Sequence, residues 1–385
     1  MSMSRALGAL TALSGLLLAC SPAQTDEATA PPAAVSSAAP VPTHASVDLP
    51  LPAAPAPGCD IASMSTRDKL AQLLMVGVTG AADARTAVTE YKVGGIMIGS
   101  WTDLSMLGAP LAGIAADAGP LSPAVSVDEE GGRVSRLAGV IGSQPSARQL
   151  AQTKTPDEVY QIALERGRAM RGLGITVDFA PVVDVTGNSS AIGDRSFGDD
   201  PATVTEYAGA YARGLRDAGV LPVLKHFPGH GRASGDSHTG AVSTPPLAEL
   251  QNDDLLPYRT LTTQHPVAVM VGHMQVPGLT GGEQASLSPA AYNLLRGEFG
   301  FGGLVYTDDL SSMAAINQQY GVAAAVLKSL QAGADVALWI TTAEVPAVLD
   351  RLEQAVDAGE LPLSRVDDSV RRVAASKGTN PNCGG

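Results

Sequence analysis

The residues most able to do chemistry crowd into one segment, Lys225-His-Phe-Pro-Gly-His-Gly-Arg-Ala-Ser-Gly-Asp-Ser-His238. Three of the six histidines of the chain fall here. Gly229, Gly231 and Gly235 permit backbone angles closed to other residues, so the segment reads as a shaped loop. Asp236 and His238 are two apart, and in an extended loop both side chains face the same way. A carboxylate beside an imidazole selects its tautomer and raises its pKa, which is the arrangement of a general acid/base. Two other readings compete. One Asp and three His could bind zinc, although the spacing matches no standard zinc motif. A lone Asp-x-His would also suit a rigid loop with capping side chains, but the Lys-His-Phe-Pro-Gly-His-Gly run before it favours chemistry.

The elements that must position such a loop recur along the chain. Eight apolar runs read as strands: 73–78, 94–99, 124–128, 176–184, 222–226, 267–273, 303–308 and 335–340. They are nearly continuous in Val, Ile, Leu and Met, as expected of strands covered on both faces. Helical patterns lie between them, such as 157–173 and 203–218, and a last helix over 364–376 has apolar positions at 366, 370 and 373. Eight strand–helix units in about 300 residues predict an α/β fold, a single (β/α)8 TIM-type barrel. A doubly wound sheet is the alternative, weakened because no Gly-x-Gly-x-x-Gly follows the first strand. Asp128, Asp184, Lys225, His226, His273 and Asp308 all stand at the carboxyl ends of predicted strands, the face of a barrel that carries active sites.

Three segments resemble motifs of glycoside hydrolase family 3, in its bacterial β-N-acetylglucosaminidase branch. They are the 225–238 run, Val127-Asp-Glu-Glu-Gly-Gly-Arg-Val-Ser-Arg136 and Val305-Tyr-Thr-Asp-Asp-Leu-Ser-Ser-Met313. Gly193-Asp-Arg-Ser-Phe-Gly198 and Ala332-Gly-Ala-Asp335 fit as well, and the likeness runs from about Asp60 to Ser376. The resemblance implies a retaining exo-β-N-acetylglucosaminidase acting on peptidoglycan fragments, with no cofactor and no metal. It implies Asp308 as nucleophile, His238 as acid/base and Asp236 as its orienting partner. Asp128, Arg136, Arg195, Lys225 and His226 would hold the N-acetylglucosamine unit, with His273 and Met274 near the sugar. Three positions depart from the family pattern. Arg232 stands where other members commonly have Asp and reads as a loop-surface change, an altered closure of the loop being the alternative; Glu129 and Ser135 also differ, with no chemistry assigned.

The chemistry is consistent with that assignment. Retention needs a carboxylate nucleophile and a proton donor near the leaving oxygen. Histidine departs from the usual pair of carboxylates, but its near-neutral pKa suits both donation and abstraction. Asp308 must stay ionised, and Lys225 and Arg195, if close, would lower its pKa or bind sugar hydroxyls. Asp309 should point the other way along the strand and be structural. Within the family, a β-glucosidase is the main alternative, though such enzymes usually draw a Glu acid/base from a second domain. A β-N-acetylglucosaminide phosphorylase is another, because an imidazole does not repel phosphate. A non-catalytic wall-binding lipoprotein is a third.

Composition narrows the setting. With 25 Lys and Arg against 38 Asp and Glu the net charge is −13, which argues against a nucleic-acid partner. Arg5 followed by apolar residues 6–19 and Leu17-Leu18-Ala19-Cys20 resembles a bacterial lipoprotein signal, too short to span a bilayer. Cys20 would carry the lipid, and residues 1–19 would be the signal peptide; an ordinary secretory signal is the alternative. Residues 20–58, rich in Ala, Pro, Ser and Thr, read as a tether, and 59–385 as the catalytic barrel. Export, a lipid anchor at the cell envelope and a monomer follow. Cys59 and Cys383 bracket the barrel, and in an exported chain they are expected to form a disulfide, two free thiols being the alternative.

Overall fold

The computed structural model describes residues 61–118, 121–187 and 191–378. The signal, the tether, Cys20, Cys59 and Cys383 therefore lie outside the described residues. Eight parallel strands close into a barrel: β1 Leu74–Val78, β2 Gly95–Ile98, β3 Ala124–Val127, β4 Val177–Asp178, β5 Leu221–Phe227, β6 Ala268–Val271, β7 Val305–Asp309 and β8 Val336–Trp339. Each pairs with its neighbour in chain order, and β1 closes the ring against β8 with Leu74 opposite Ala337.

Every residue of β1 is buried, yet the two faces differ. Met75 points into the barrel with Met97, Phe179, Val223, Met270, Tyr306 and Leu338. Leu74, Val76 and Val78 point outward against the helices. An alternation hidden by uniform hydrophobicity is what a doubly covered sheet requires. The barrel interior is filled by side chains, so the polar residues can gather only at its mouth.

Helix ends are set by local signals. Thr155 and Glu158 form a reciprocal capping box and Pro156 opens the helix Pro156–Gly172. Asp200 caps Pro201–Asp217 by accepting from the Thr203 N–H at 2.8 Å. These two helices lie within the segment that leads from β3 to β5, one before and one after β4.

The predicted fourth strand is shorter than its apolar run. Only Val177–Asp178 joins the ladder, because Pro181 has no N–H to donate. The chain still follows β5, with Val182 bridging Lys225 and the Val183 N–H donating to the Lys225 carbonyl at 2.8 Å. This brings Asp184 to the mouth beside His226. The helix expected over 364–376 is Leu363–Ser376.

Candidate active site

Strands β3 and β5 end in a buried quartet of charges. The Lys225 ammonium donates to Asp128 at 2.5 Å and lies 2.7 Å from Glu130. The Arg195 guanidinium forks onto both oxygens of Glu130, at 2.7 and 2.8 Å. Burial alone would raise the Glu130 carboxyl, but Arg195 and then Lys225 outweigh it and hold it well below the usual carboxylate range. Burial would likewise lower Lys225, yet Asp128 and Glu130 carry it above its ordinary value. Two cations and two anions leave the quartet neutral, which is how charges persist at this depth. The exposures divide the labour. Lys225 and Glu130 are 2% and 3% exposed, whereas Asp128 and Arg195 are 16% and 13%. The inner pair is support; the outer pair faces the mouth.

His226, next on β5, is fixed by Asp184. Its Nδ1 lies 2.7 Å from one carboxylate oxygen, and its own N–H and that of His230 both donate to the other oxygen, at 3.3 and 2.7 Å. Its Nε2 faces Arg195 at 3.4 Å.

Asp308 is the penultimate residue of β7. Burial pushes its carboxyl up, but the imidazoles of His273 and His226, the Asp309 N–H and Lys225 outweigh that and bring it to about 2. Lys225 is thus among the groups that lower it, as expected, while the Arg195 guanidinium pairs with Glu130. Asp309 turns away and caps the following bend. Its carboxylate accepts from the Ser311 N–H and hydroxyl at 2.8 and 2.7 Å, the Ser312 N–H at 3.1 Å, and the Ser312 hydroxyl. His273 is fully buried beneath this turn. Its Nε2 donates to the Asp309 carbonyl at 2.8 Å, and its Nδ1 lies 2.6 Å from the Ser286 hydroxyl. Burial lowers its pKa, against the pull of the Asp308 carboxylate.

The loop after β5 carries the last two groups. Asp236 Oδ1 accepts from the His238 backbone N–H at 3.0 Å and lies 2.7 Å from the ring Nδ1. Nδ1 is therefore the donor, and Nε2 is the nitrogen available for proton exchange. Burial would raise Asp236, but the His238 N–H and ring outweigh it and lower its pKa. His238 is 63% exposed, unlike every other group described here. Its position is nonetheless specified. Ser237 is buried, with its hydroxyl 3.2 Å from His230 Nε2. The Ser237 and His238 carbonyls accept from the Ala315 and Ala314 N–H groups at 3.2 and 3.4 Å, on the segment just beyond Asp308. A nucleophile-like carboxylate and a solvent-facing imidazole thus share one mouth, the pairing that double-displacement glycoside cleavage uses.

Comparison with known proteins decides the family. The model of the glycosyl hydrolase family 3 N terminal domain matches residues 65–376. The chain belongs to glycosyl hydrolase family 3. It is a glycoside hydrolase of the β-hexosaminidase kind. The beta-hexosaminidase LpqI of Mycobacterium tuberculosis is 62% identical, over 100% of both chains. A solved family 3 hydrolase from Mycobacterium smegmatis is 74% identical over 84% of this chain and 99% of its own, with a TM-score of 0.82. A family 3 beta-N-acetylglucosaminidase from Paenibacillus is 34% identical over 82% of this chain and 62% of its own, with a TM-score of 0.77.

The family barrel brings Asp128, Arg195, Lys225, His226, His273 and Asp308 to one mouth, with Asp236 and His238 on the adjoining loop. Met274 lies close to His226, since a Cβ on Gly272 would meet the Met274 sulfur at 2.8 Å and the His226 Cβ at 3.1 Å. It is fully buried and pairs with Val242 in a short parallel ladder, Val242–Ser243 against Met274–Gln275, which props the far end of the loop. Arg232 is exposed at the surface and also reaches the buried Asp254 at 2.6 Å. Glu129 and Ser135, the other two departures, bond to each other at 2.6 Å. Glu129 also accepts from the Arg136 and Leu137 N–H groups, both at 2.8 Å, and pairs with Arg166, so it fixes the backbone that carries Arg136. Sequence reasoning put Asp184 at the mouth and His230 in the chemical loop without giving either a role, and left Glu130 out of the site. Glu130 shares a face with Asp128 at a spacing of two, a usable signal. Nothing local marks Asp184 and His230 as partners, since they meet only through the fold.

Proposed function

We propose that the protein is an exported, lipid-anchored retaining exo-β-N-acetylglucosaminidase that releases N-acetylglucosamine from peptidoglycan fragments. The observation that carries this reading is the contrast between Asp308, held ionised at about 2, and His238, exposed and oriented by Asp236. In the reading, Asp308 attacks the anomeric carbon while His238 Nε2–H protonates the leaving oxygen. The same nitrogen then takes a proton from water, which attacks the glycosyl–Asp308 ester and releases the sugar with retention. Asp236 accepts from Nδ1–H, so Nε2 carries the exchangeable proton in the charged ring and the free lone pair in the neutral one. Asp128 and Arg195, the outer members of the quartet, bind sugar hydroxyls together with His226, and Lys225 and Glu130 hold them in place. Arg136 reaches the substrate from the loop that Glu129 fixes.

Relatives named beta-hexosaminidase and beta-N-acetylglucosaminidase support the sugar specificity. The Leu-Leu-Ala-Cys20 ending supports an anchor at the envelope, beside the wall material that would supply the substrate. A barrel spanning 59–385, a Cys59–Cys383 disulfide and a monomer complete the proposal. A fluorinated mechanism-based N-acetylglucosaminide tests its centre. Peptide mapping of the inactivated enzyme is expected to find the label on Asp308. Label elsewhere refutes the nucleophile, and no label with a thiazoline product would mean attack by the substrate's own acetamido group.

A further inference from the structure

The loop that carries Asp236 and His238 is held at its root by an ion pair the sequence did not foretell. Gly229 adopts a φ of 131°, and a Cβ there would lie 2.6 Å from the Asp254 Cβ, so the backbone rests directly on Asp254. A Cβ on Gly231 would lie 2.2 Å from the Val185 carbonyl oxygen, so that residue is equally confined. Between these stops the His230 N–H is tied to Asp184. The next residue is Arg232. Its Nε and one terminal nitrogen donate to the same Asp254 oxygen, at 3.0 and 2.6 Å.

Asp254 is fully buried, and its other oxygen has no hydrogen-bond partner among the described residues. Asp253 lies 3.6 Å from the same guanidinium and Glu249 4.0 Å, so the carboxylates around Arg232 outnumber it three to one. Burial, with Asp253 adding to it, raises Asp254 to about 6 even against the pull of Arg232. A buried carboxylate that loses its cation is costly, and the backbone packed on it must give way. Here that backbone is the stem of the acid/base loop. Beyond Arg232 the loop is secured by the Ser234 N–H on the Ser243 carbonyl at 2.8 Å, the Ser243 N–H on the Ser234 hydroxyl at 3.0 Å, Ser237 on His230, and the Ser237 and His238 carbonyls on the Ala315 and Ala314 N–H groups. His230 is one residue from Gly229 and Gly231, so a shift at the root moves Ser237 and hence its neighbour His238.

We propose that Arg232 is a positioning residue: by neutralising the buried Asp254 it clamps the root of the 229–238 loop and so sets where the Asp236–His238 pair stands over the mouth. This deepens the proposed function and rests on it only where His238 is read as the proton donor.

The test uses the full chain with Arg232→Met, Arg232→Lys and Asp254→Asn. Hydrogen exchange of the 229–241 peptides reports on position without reference to activity. In Arg232→Met, exchange there is expected to accelerate about tenfold or more while the barrel strands keep their protection. For an N-acetylglucosaminyl disaccharide kcat/KM should fall by about ten- to a hundredfold, the usual effect of displacing a catalytic group by about an ångström. A nitrophenyl N-acetylglucosaminide, whose glycosylation step needs no proton, should lose less. Arg232→Lys should recover most of both. Unchanged exchange in Arg232→Met overturns the proposal. If that variant does not fold, Asp254→Asn decides: faster loop exchange supports the clamp and unchanged exchange refutes it. Faster exchange with equal losses on both substrates upholds the clamp and instead refutes His238 as donor.

Discussion

Asp308 and His238 work at the same mouth but are built in opposite ways. Asp308 sits within a strand, half-buried, with imidazoles, a backbone N–H and an ammonium arranged so that burial does not protonate it. His238 sits on a loop, 63% exposed, with one carboxylate to orient it. The difference follows from what each must do. A nucleophile has to stay ionised throughout and meet one carbon in one geometry, so a rigid, charge-balanced seat serves it. An acid/base has to exchange protons with solvent between steps, so exposure serves it. Asp309 and Asp236 show the same division, one capping a turn with four hydrogen bonds and the other tuning a ring.

The comparison breaks most visibly at Asp308. Asp308→Ala is expected to lower kcat by about four orders of magnitude or more, with the fold retained. Turnover within tenfold of wild type, measured with circular dichroism matched, would remove Asp308 from the reaction.

His238→Ala sharpens the contrast between the two regions. Disaccharide cleavage should fall by about a hundred- to a thousandfold, while a nitrophenyl glycoside shows a burst and then a slow steady rate. Azide should partly restore that rate, because a small anion attacks without a base. Asp236→Ala should give a milder form of the same pattern. Equal losses on both substrates without azide rescue would make His238 a binding residue. Glu130 could not then replace it, since two cations keep it ionised.

Acid stability compares the seats directly. The Asp308 carboxyl is lowered from 3.8 to about 2, so its ionised form stabilises the fold above about pH 4, and that stability is lost as pH falls towards 2. The integrated contribution is about 2 kcal/mol, somewhat less after allowing for partial exposure. The melting temperature of Asp308→Asn should therefore fall less steeply than wild type between pH 4 and 2. Parallel curves would show that the carboxylate gains nothing from its neighbours.

The smallest effect concerns Asp309. Asp309→Ala should cost about 1–2 kcal/mol of stability through the lost Ser311 and Ser312 bonds. Denaturant unfolding measures it, and a loss of kcat out of proportion to stability would give Asp309 a chemical role.

Much of this was legible in the residues. The eight apolar runs, the helices between them and the polar residues at five of the strand ends emerge from the pattern along the chain, because a barrel strand is covered on both faces and only its end meets solvent. Asp236-x-His238 is local, so its pairing could be read directly. The fourth strand was overestimated because hydrophobicity does not register the N–H missing at Pro181.

The sequence by itself determined the barrel, the mouth and the identities of the groups gathered there, since each depends on periodicity or short spacing. Only the tertiary structure decided which charge neutralises which. Lys225 meets Asp128 and Glu130 across 97 and 95 residues, Arg195 meets Glu130 across 65, and Arg232 meets Asp254 across 22. Such pairs leave no local trace, because Coulomb attraction in a low-dielectric interior depends on distance in space alone. For the same reason, whether Asp308 is ionised and whether Arg232 reaches a buried partner could not be read along the chain; both depend on which groups the closed barrel brings within a few ångströms.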